Sequence, residues 1–323
     1  MTKILCDFHH GGLIYSLHLL FEKRLGFEMY VPCGMDWWKE KMWVNPSSTC
    51  EATARQYLDW KKTTRIAEGK NFLDLKGITL DEAKSGGIDY ILSSISTNDT
   101  PFAKLKQWNK DAVLISQWGN PHQTCNYSFY KNILNSTLEP VVDGYNSVNY
   151  HQEFDLGEFS YIEPPVQNRI RSFVMWYGVQ KHAEVYRQYK KLMPDYDFKM
   201  YGCGDDGSLL EQDKAQGIKD SSFMWYYKPQ GDGYGYVIHM AYACGRPVIT
   251  KRSFNKGMLP EKLFTDDTCI DLDVGTAKDN IENIRAWSSD IKNISKKVRS
   301  QFDKVVNFDD DEQSVRKWLK RCT

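Results

Sequence analysis

Three glycines at 231, 233 and 235 stand immediately before a stretch, Tyr236 to Ala243, with helical apolar spacing. Glycines let backbone amides come close to an anionic ligand, and the start of a helix presents free N–H groups and a positive dipole end to that same anion. Gly245 then caps the helix and Pro247 opens the next strand. A second chemical cluster is His9-His10-Gly11-Gly12, at the end of the first strand-like run. An imidazole with a pKa of about 6.5 is suited to proton transfer. His10, beside the glycines, is the first choice as base and His9 the alternative; a helix-capping or packing histidine is the other reading.

Other aromatic and polar runs follow strands. Gln117-Trp118-Gly119-Asn120-Pro121-His122 places Trp118 to stack on a sugar or base, with His122 nearby. Asp36, Trp37 and Trp38, with Lys39, Lys41, Lys61 and Lys62, either stack exposed bases and hold phosphates or cover the core. Tyr201-Gly202-Cys203-Gly204-Asp205 is either a ligand-wrapping loop or an ordinary tight turn.

The elements that must position these groups read as α/β. Lys3 to Phe8 is strand-like, Leu13 to Leu25 helical and Phe27 to Pro32 strand-like again, which makes a βαβ unit. Further strands are predicted at 90–92, 112–116, 141–142 and 159–162, while 35–75 reads as an excursion from the sheet. Glu163-Pro164-Pro165 marks a linker. Alternation then restarts, with strands at 173–177, 197–201, 247–250 and 269–272 and helices at 181–192 and 236–243. The expected organisation is a domain over 1–165, a second over 166–305 and a C-terminal helix in 306–323 that packs back on the first. Both domains are expected to be doubly wound and Rossmann-like, facing a central cleft.

Composition agrees with this. A chain of 323 residues suits two domains of about 150 residues each. Hydrophobic residues make up 41% and charged residues 26%, as in ordinary globular proteins. The 42 basic and 42 acidic residues cancel, so no global field draws the chain to nucleic acid. No apolar run approaches the ~20 residues of a membrane span, the N-terminus does not read as a signal peptide, and eight scattered cysteines form no C-x-x-C pair. A cytoplasmic monomer with reduced thiols is expected.

Residues 231–248, Gly-Asp-Gly-Tyr-Gly-Tyr-Val-Ile-His-Met-Ala-Tyr-Ala-Cys-Gly-Arg-Pro-Val, resemble the donor segment of GT-B nucleotide-sugar glycosyltransferases, of the group 1 or family 4-like type, E-G-F-G-x-x-x-x-E-A-M-A-C-G-x-P-V. The resemblance implies a hexosyl- or pentosyltransferase using a nucleotide sugar, most naturally a UDP-sugar, with no tightly bound cofactor and no required divalent metal. It implies donor binding by Gly233, Tyr234, Gly235 and Tyr236, with Asp232 in place of the first glutamate, on sugar hydroxyls or on developing positive charge. Met240 replaces the glutamate that ordinarily holds the ribose, and His239 is a candidate substitute. Gly12, Gly178, Gly202 and Gly204 line the donor by position, and Lys181 then Lys228 and Arg252 are the candidate cations for the diphosphate. Asp36, Trp37, Trp118 and His122 fall on the acceptor side. The Asp232 segment resembles retaining enzymes, whereas His10 suits an inverting base. The opening, Phe8 to Ser16 and Phe21 to Gly26, is similar to glycosyltransferase-like proteins of bacterial viruses. It implies a hydroxymethylated pyrimidine in DNA as acceptor, with a cell-surface glycan precursor as alternative. A nucleotide-sugar epimerase or a non-catalytic binder of the same fold completes the set.

Overall fold

The computed structural model describes residues 1–323 apart from 8–9, 44–49, 95–100, 121–124, 139, 166–167, 174–178, 203–204, 208 and 323, and apart from the side chains of 101, 179–182 and 211. The chain divides into two compact units, one of 1–68, 72–154 and 308–323, the other of 69–71 and 155–307.

The first unit runs β1 (Lys3–Cys6), α1 (Gly11–His18), β2 (Glu28–Pro32), α2 (Asp36–Lys39), α3 (Glu51–Leu58), β3 (Thr63–Glu68), β4 (Asn71–Ile78), α4 (Leu80–Lys84), β5 (Tyr90–Ser93), α5 (Pro101–Lys104), β6 (Val113–Trp118), β7 (Asn132–Asn135) and β8 (Asn146–Asn149). Its eight-stranded sheet has the order β3-β4-β2-β1-β5-β6-β7-β8. β1 pairs in parallel with both β2 and β5, with Ile4 opposite Met29 and Tyr90. Successive side chains of a strand point to opposite faces, and β1 divides accordingly. Ile4 and Cys6 join Leu13, Ile14, Leu17 and Phe21 in one core. Leu5 joins Trp37, Ile91, Leu114 and Phe102 in the other. A central parallel strand covered on both faces is thus apolar at each of its three buried positions, Ile4, Leu5 and Cys6.

Two expectations fail here. Residues 141–142 and 159–162 form no strand, and Val142 is 56% exposed. The sheet is completed instead by β7 and β8, whose asparagines satisfy one another inside it: Asn146 Nδ2 donates to Asn132 Oδ1 at 3.1 Å, and Asn132 Nδ2 to Leu114 O at 3.2 Å. Polar side chains with such partners hide a strand from hydropathy. Of residues 35–75, the part before Thr63 carries α2 and α3 outside the sheet, whereas β3 and β4 return to it and extend it beyond β2, with Tyr30 opposite Lys76. An edge needs few apolar residues, since much of it meets water.

The second unit runs β9 (Arg169–Ser172), α6 (Val179–Leu192), β10 (Asp197–Met200), α7 (Lys214–Lys219), β11 (Phe223–Trp225), α8 (Tyr236–Ala243), β12 (Val248–Thr250), β13 (Cys269–Asp271), α9 (Ala277–Ser289) and α10 (Ile291–Val305). The sheet order is β10-β9-β11-β12-β13, parallel throughout. Residues 174–177 of the strand expected at 173–177 lie outside the described residues, and a strand lies at 169–172. Arg171 inside it is buried yet satisfied, donating to Asp197 O at 2.6 Å and to its carboxylate. β11 carries no expectation from sequence, being three residues long.

The last helix, α11 (Phe308–Leu319), belongs to the first unit. Val315, Trp318 and Leu319 enter the core beside α1, and Trp318 Nε1 donates to Asn146 O at 3.1 Å. Its acidic start binds specific partners. Arg24 donates to Glu153 at 2.6 and 2.8 Å and to Asp309 at 2.6 Å, while the His151 amide donates to Asp311 at 3.0 Å.

Candidate functional site

In the second unit β9 has β10 on one side and β11 on the other, so the connections reverse between β9 and β11. Ligands of open α/β sheets bind beyond the carboxyl ends of the strands at such a reversal. Beyond the end of β11 come Tyr226, Tyr227, Lys228 and the glycine turn.

That turn requires its glycines. Gly231 has φ +64°, and a Cβ there would lie 2.1 Å from Phe254 O and 2.5 Å from Met258 Sδ. Gly235, at φ +71°, is the residue before α8, and a Cβ would lie 2.8 Å from Pro260 Cγ. The Leu259 amide donates to Gly233 O at 3.2 Å. The segment after β12 therefore braces the turn from behind. Ile238 and His239 amides make the first helical bonds, both to Gly235 O, and neither a side-chain cap nor an acidic residue occupies the first turn. The positive end of α8 is thus left uncompensated by its own sequence.

Asp232 projects from the turn between two donors. The Tyr226 hydroxyl donates to Oδ2 and the Lys228 ammonium to Oδ1. Lys228, Asp232 and Tyr236 are each half-buried, while Tyr226 is 3% exposed. Burial pushes the Asp232 carboxyl up to about 7 and lowers the Lys228 ammonium. The ion pair acts against both shifts, favouring the charged forms, and the Tyr226 hydroxyl acts against that of Asp232.

The remaining donor-side residues divide between surface and interior. Tyr234 is buried and stacks on His239, ring centres 4.1 Å apart. His239 is fully buried and its Nδ1 lies 3.1 Å from Gly235 O, and Met240 is 1% exposed. Gly202 has φ +89°, and its amide donates to Gly207 O at 2.9 Å. Arg252 is held by Asp266 at 2.9 Å, and its backbone amide by Asp271 at 3.1 Å. Lys181 lies in the first turn of α6; its side chain, with Gly178 and Gly204, is outside what is described.

In the first unit the connections reverse between β1 and β5. His10 is the N-cap of α1: it is exposed, and its Nδ1 accepts from the Leu13 amide at 3.2 Å. In the neutral ring the proton then sits on Nε2, so taking up a second proton at Nδ1 competes with the cap. Gly12 is the second residue of α1 and half-buried. His9 and His122 are outside the described residues. Trp118 is 2% exposed with Nε1 donating to Ser116 Oγ at 3.0 Å. Trp37 is fully buried, donates to Ile78 O at 2.9 Å and stacks on Phe102, whereas Asp36 is exposed and pairs with Lys39 at 3.1 Å. Among the described residues no group of His, Cys, Asp and Glu is placed to hold a metal ion, and no helix is long and apolar enough to cross a membrane.

No family model and no curated protein matches the sequence. Solved structures do match its fold. HepE from Anabaena, in complex with UDP and glucose, superposes with a TM-score of 0.62 over 99% of this chain and 100% of that one, at 11% identity. Sucrose-phosphate synthase from Thermosynechococcus elongatus gives a TM-score of 0.61 at 11% identity, covering 99% of each chain. An alpha-glucosyltransferase in complex with UDP-glucose and DNA containing an abasic site gives 0.60 at 11% identity, over 98% of this chain and 99% of that one. The fold is GT-B.

Within this GT-B chain the structure adds residues that sequence reading passed over. Tyr226 was hidden because β11 is too short to announce itself. Asp7 lies beyond β1, at the reversal of the first sheet, and is 2% exposed. Its carboxylate accepts from Ser93 Oγ at 3.1 Å and from Ser94 N and Oγ, both at 2.8 Å. A carboxylate directly after a buried strand is the signal the sequence carries for it.

Proposed function

We propose that the chain is a glycosyltransferase that takes a UDP-sugar at the glycine turn before α8 and transfers the sugar to a hydroxyl. The observation that carries this reading is the arrangement of Gly231 and Gly235, both with positive φ, at the start of α8, with Lys228 and Asp232 beside them at the reversal of the sheet. Backbone amides and the helix end would face the diphosphate. Lys228, with Lys181 behind it, would stabilise the leaving group, and Asp232 would face the sugar. Such cations make a tightly held metal unnecessary. His10 is the proposed base toward the acceptor, with His9 as alternative. Met240 and His239 are both buried, which supports ribose recognition by other groups.

For the acceptor we favour a hydroxymethylated pyrimidine in DNA, supported by the fold shared with the alpha-glucosyltransferase solved with DNA. The test is transfer of labelled sugar by the full-length chain, from a panel of UDP-sugars, to hydroxymethylated DNA and in parallel to glycan precursors. Labelled DNA is the expected result. Labelled glycan alone refutes the DNA acceptor, and binding of UDP without turnover on any acceptor refutes the enzyme. Conversion of the free nucleotide sugar would identify an epimerase.

A further inference from the structure

Tyr226 follows β11 directly, its amide donating to Ile249 O at 2.9 Å, so its backbone is fixed by the sheet. Its ring is buried, at 3% exposure, and its hydroxyl ends on Asp232 Oδ2. Asp232 itself stands on a turn, where a carboxylate has rotational freedom unless something rigid holds it. Lys228 cannot supply that rigidity, since it lies on the same turn and its ammonium ends a flexible stem.

We propose that Tyr226 is the positioning residue of this site, locking the Asp232 carboxylate so that the oxygen shared with Lys228 is the one presented to the donor sugar. This rests on the donor-site reading above. Among the described residues, the side chains bonded to the carboxylate are Lys228 from the turn and Tyr226 from the end of the strand. The segment after β12 meets the turn at Gly231 through the Phe254 carbonyl and the Met258 sulfur, neither of which is charged. A phenol that donates to a carboxylate stabilises its ionised form as well as its orientation. Functional side chains are held best from a rigid element, and here the strand reaches across to discipline the loop.

The experiment compares the wild-type chain with Tyr226→Phe and with 3,5-difluorotyrosine incorporated at position 226. The titration midpoint of the Asp232 carboxyl is followed by carbon NMR, assigned through Asp232→Asn, alongside turnover of UDP-glucose. Loss of the hydroxyl should raise the midpoint by about one pH unit and lower kcat about tenfold, with KM for the donor within about twofold. The fluorinated ring keeps the shape and is a stronger donor, so it should move the midpoint down. An unmoved midpoint in both variants overturns the proposal, and so does a fall in kcat without a change in the midpoint, which would show packing alone. If the midpoint moves but the wild-type chain turns over no nucleotide sugar, the donor-site reading has failed and takes this role with it. The NMR result separates that failure from failure of the hydrogen bond.

Discussion

The Lys228 ammonium and the Asp232 carboxylate meet across the turn that the Gly231 amide closes on Lys228 O at 2.8 Å, forming an ion pair in the segment that leads into α8. Burial holds the carboxyl close to neutrality, at about 7. If the ionised form faces the sugar, activity should fall as the pH drops through that value, because protonation removes the charge that transfer needs. Asp232→Asn should abolish this acidic limb and reduce kcat about 100-fold or more, while UDP binding persists. A pH profile of kcat/KM with calorimetry of UDP binding checks both.

Gly231 has no room for a methyl group. Its φ of +64° is strained for other residues, and the Cβ would press on the Phe254 carbonyl, which is backbone and cannot rotate away. Gly231→Ala is expected to cost about 2 to 4 kcal/mol and to weaken UDP binding, as read by urea unfolding and thermal shift.

His10 can cap and can act as base, and two substitutions divide these roles. Asparagine is a good N-cap but takes no proton at neutral pH. His10→Asn should therefore preserve stability within about 0.5 kcal/mol and still lose kcat about 100-fold. His10→Ala should lose the same activity and about 1 kcal/mol as well. Normal turnover by His10→Asn would assign the residue to capping.

Arg246 is fully buried and donates to three carbonyls, Ile162 O at 2.9 Å, Cys244 O at 2.7 Å and Lys219 O at 2.6 Å. Burial lowers its guanidinium to about 10, so it stays charged at neutral pH. Arg246→Met would leave these acceptors without their donor and should cost about 3 kcal/mol in equilibrium unfolding. Arg246→Lys should recover little, because one ammonium cannot span all three.

Arg24 joins α11 to the first unit through Glu153, Asp309 and Glu312. With Arg24→Gln the helix should fray, giving faster hydrogen exchange over 308–319 and a loss of about 1 to 2 kcal/mol, smaller at high salt. Unchanged exchange would show that Trp318 and its neighbours anchor the helix unaided.

Much of this was legible without coordinates, and the reason differs by segment. Helix α8 was read at 236–243, where it lies, because its signal is local: glycine before, apolar spacing within, glycine and proline after. β1 announced itself for the same reason, as an apolar run bounded by polar residues. β7 and β8 did not, since their asparagines are satisfied by partners far along the chain, and β11 was too short to show any period.

The sequence by itself determined the α/β alternation, the glycine turn and the helix that follows it. Those depend on φ preferences and on spacing over a few residues, which are properties of neighbours in the chain. Only the tertiary structure decided that Tyr226 and Lys228 share Asp232. It also decided that Trp37 lies in the core and that His10 spends a ring nitrogen on Leu13. These facts turn on which polar groups find partners once strands are ordered in a sheet, and burial with or without a partner is settled in space rather than along the chain.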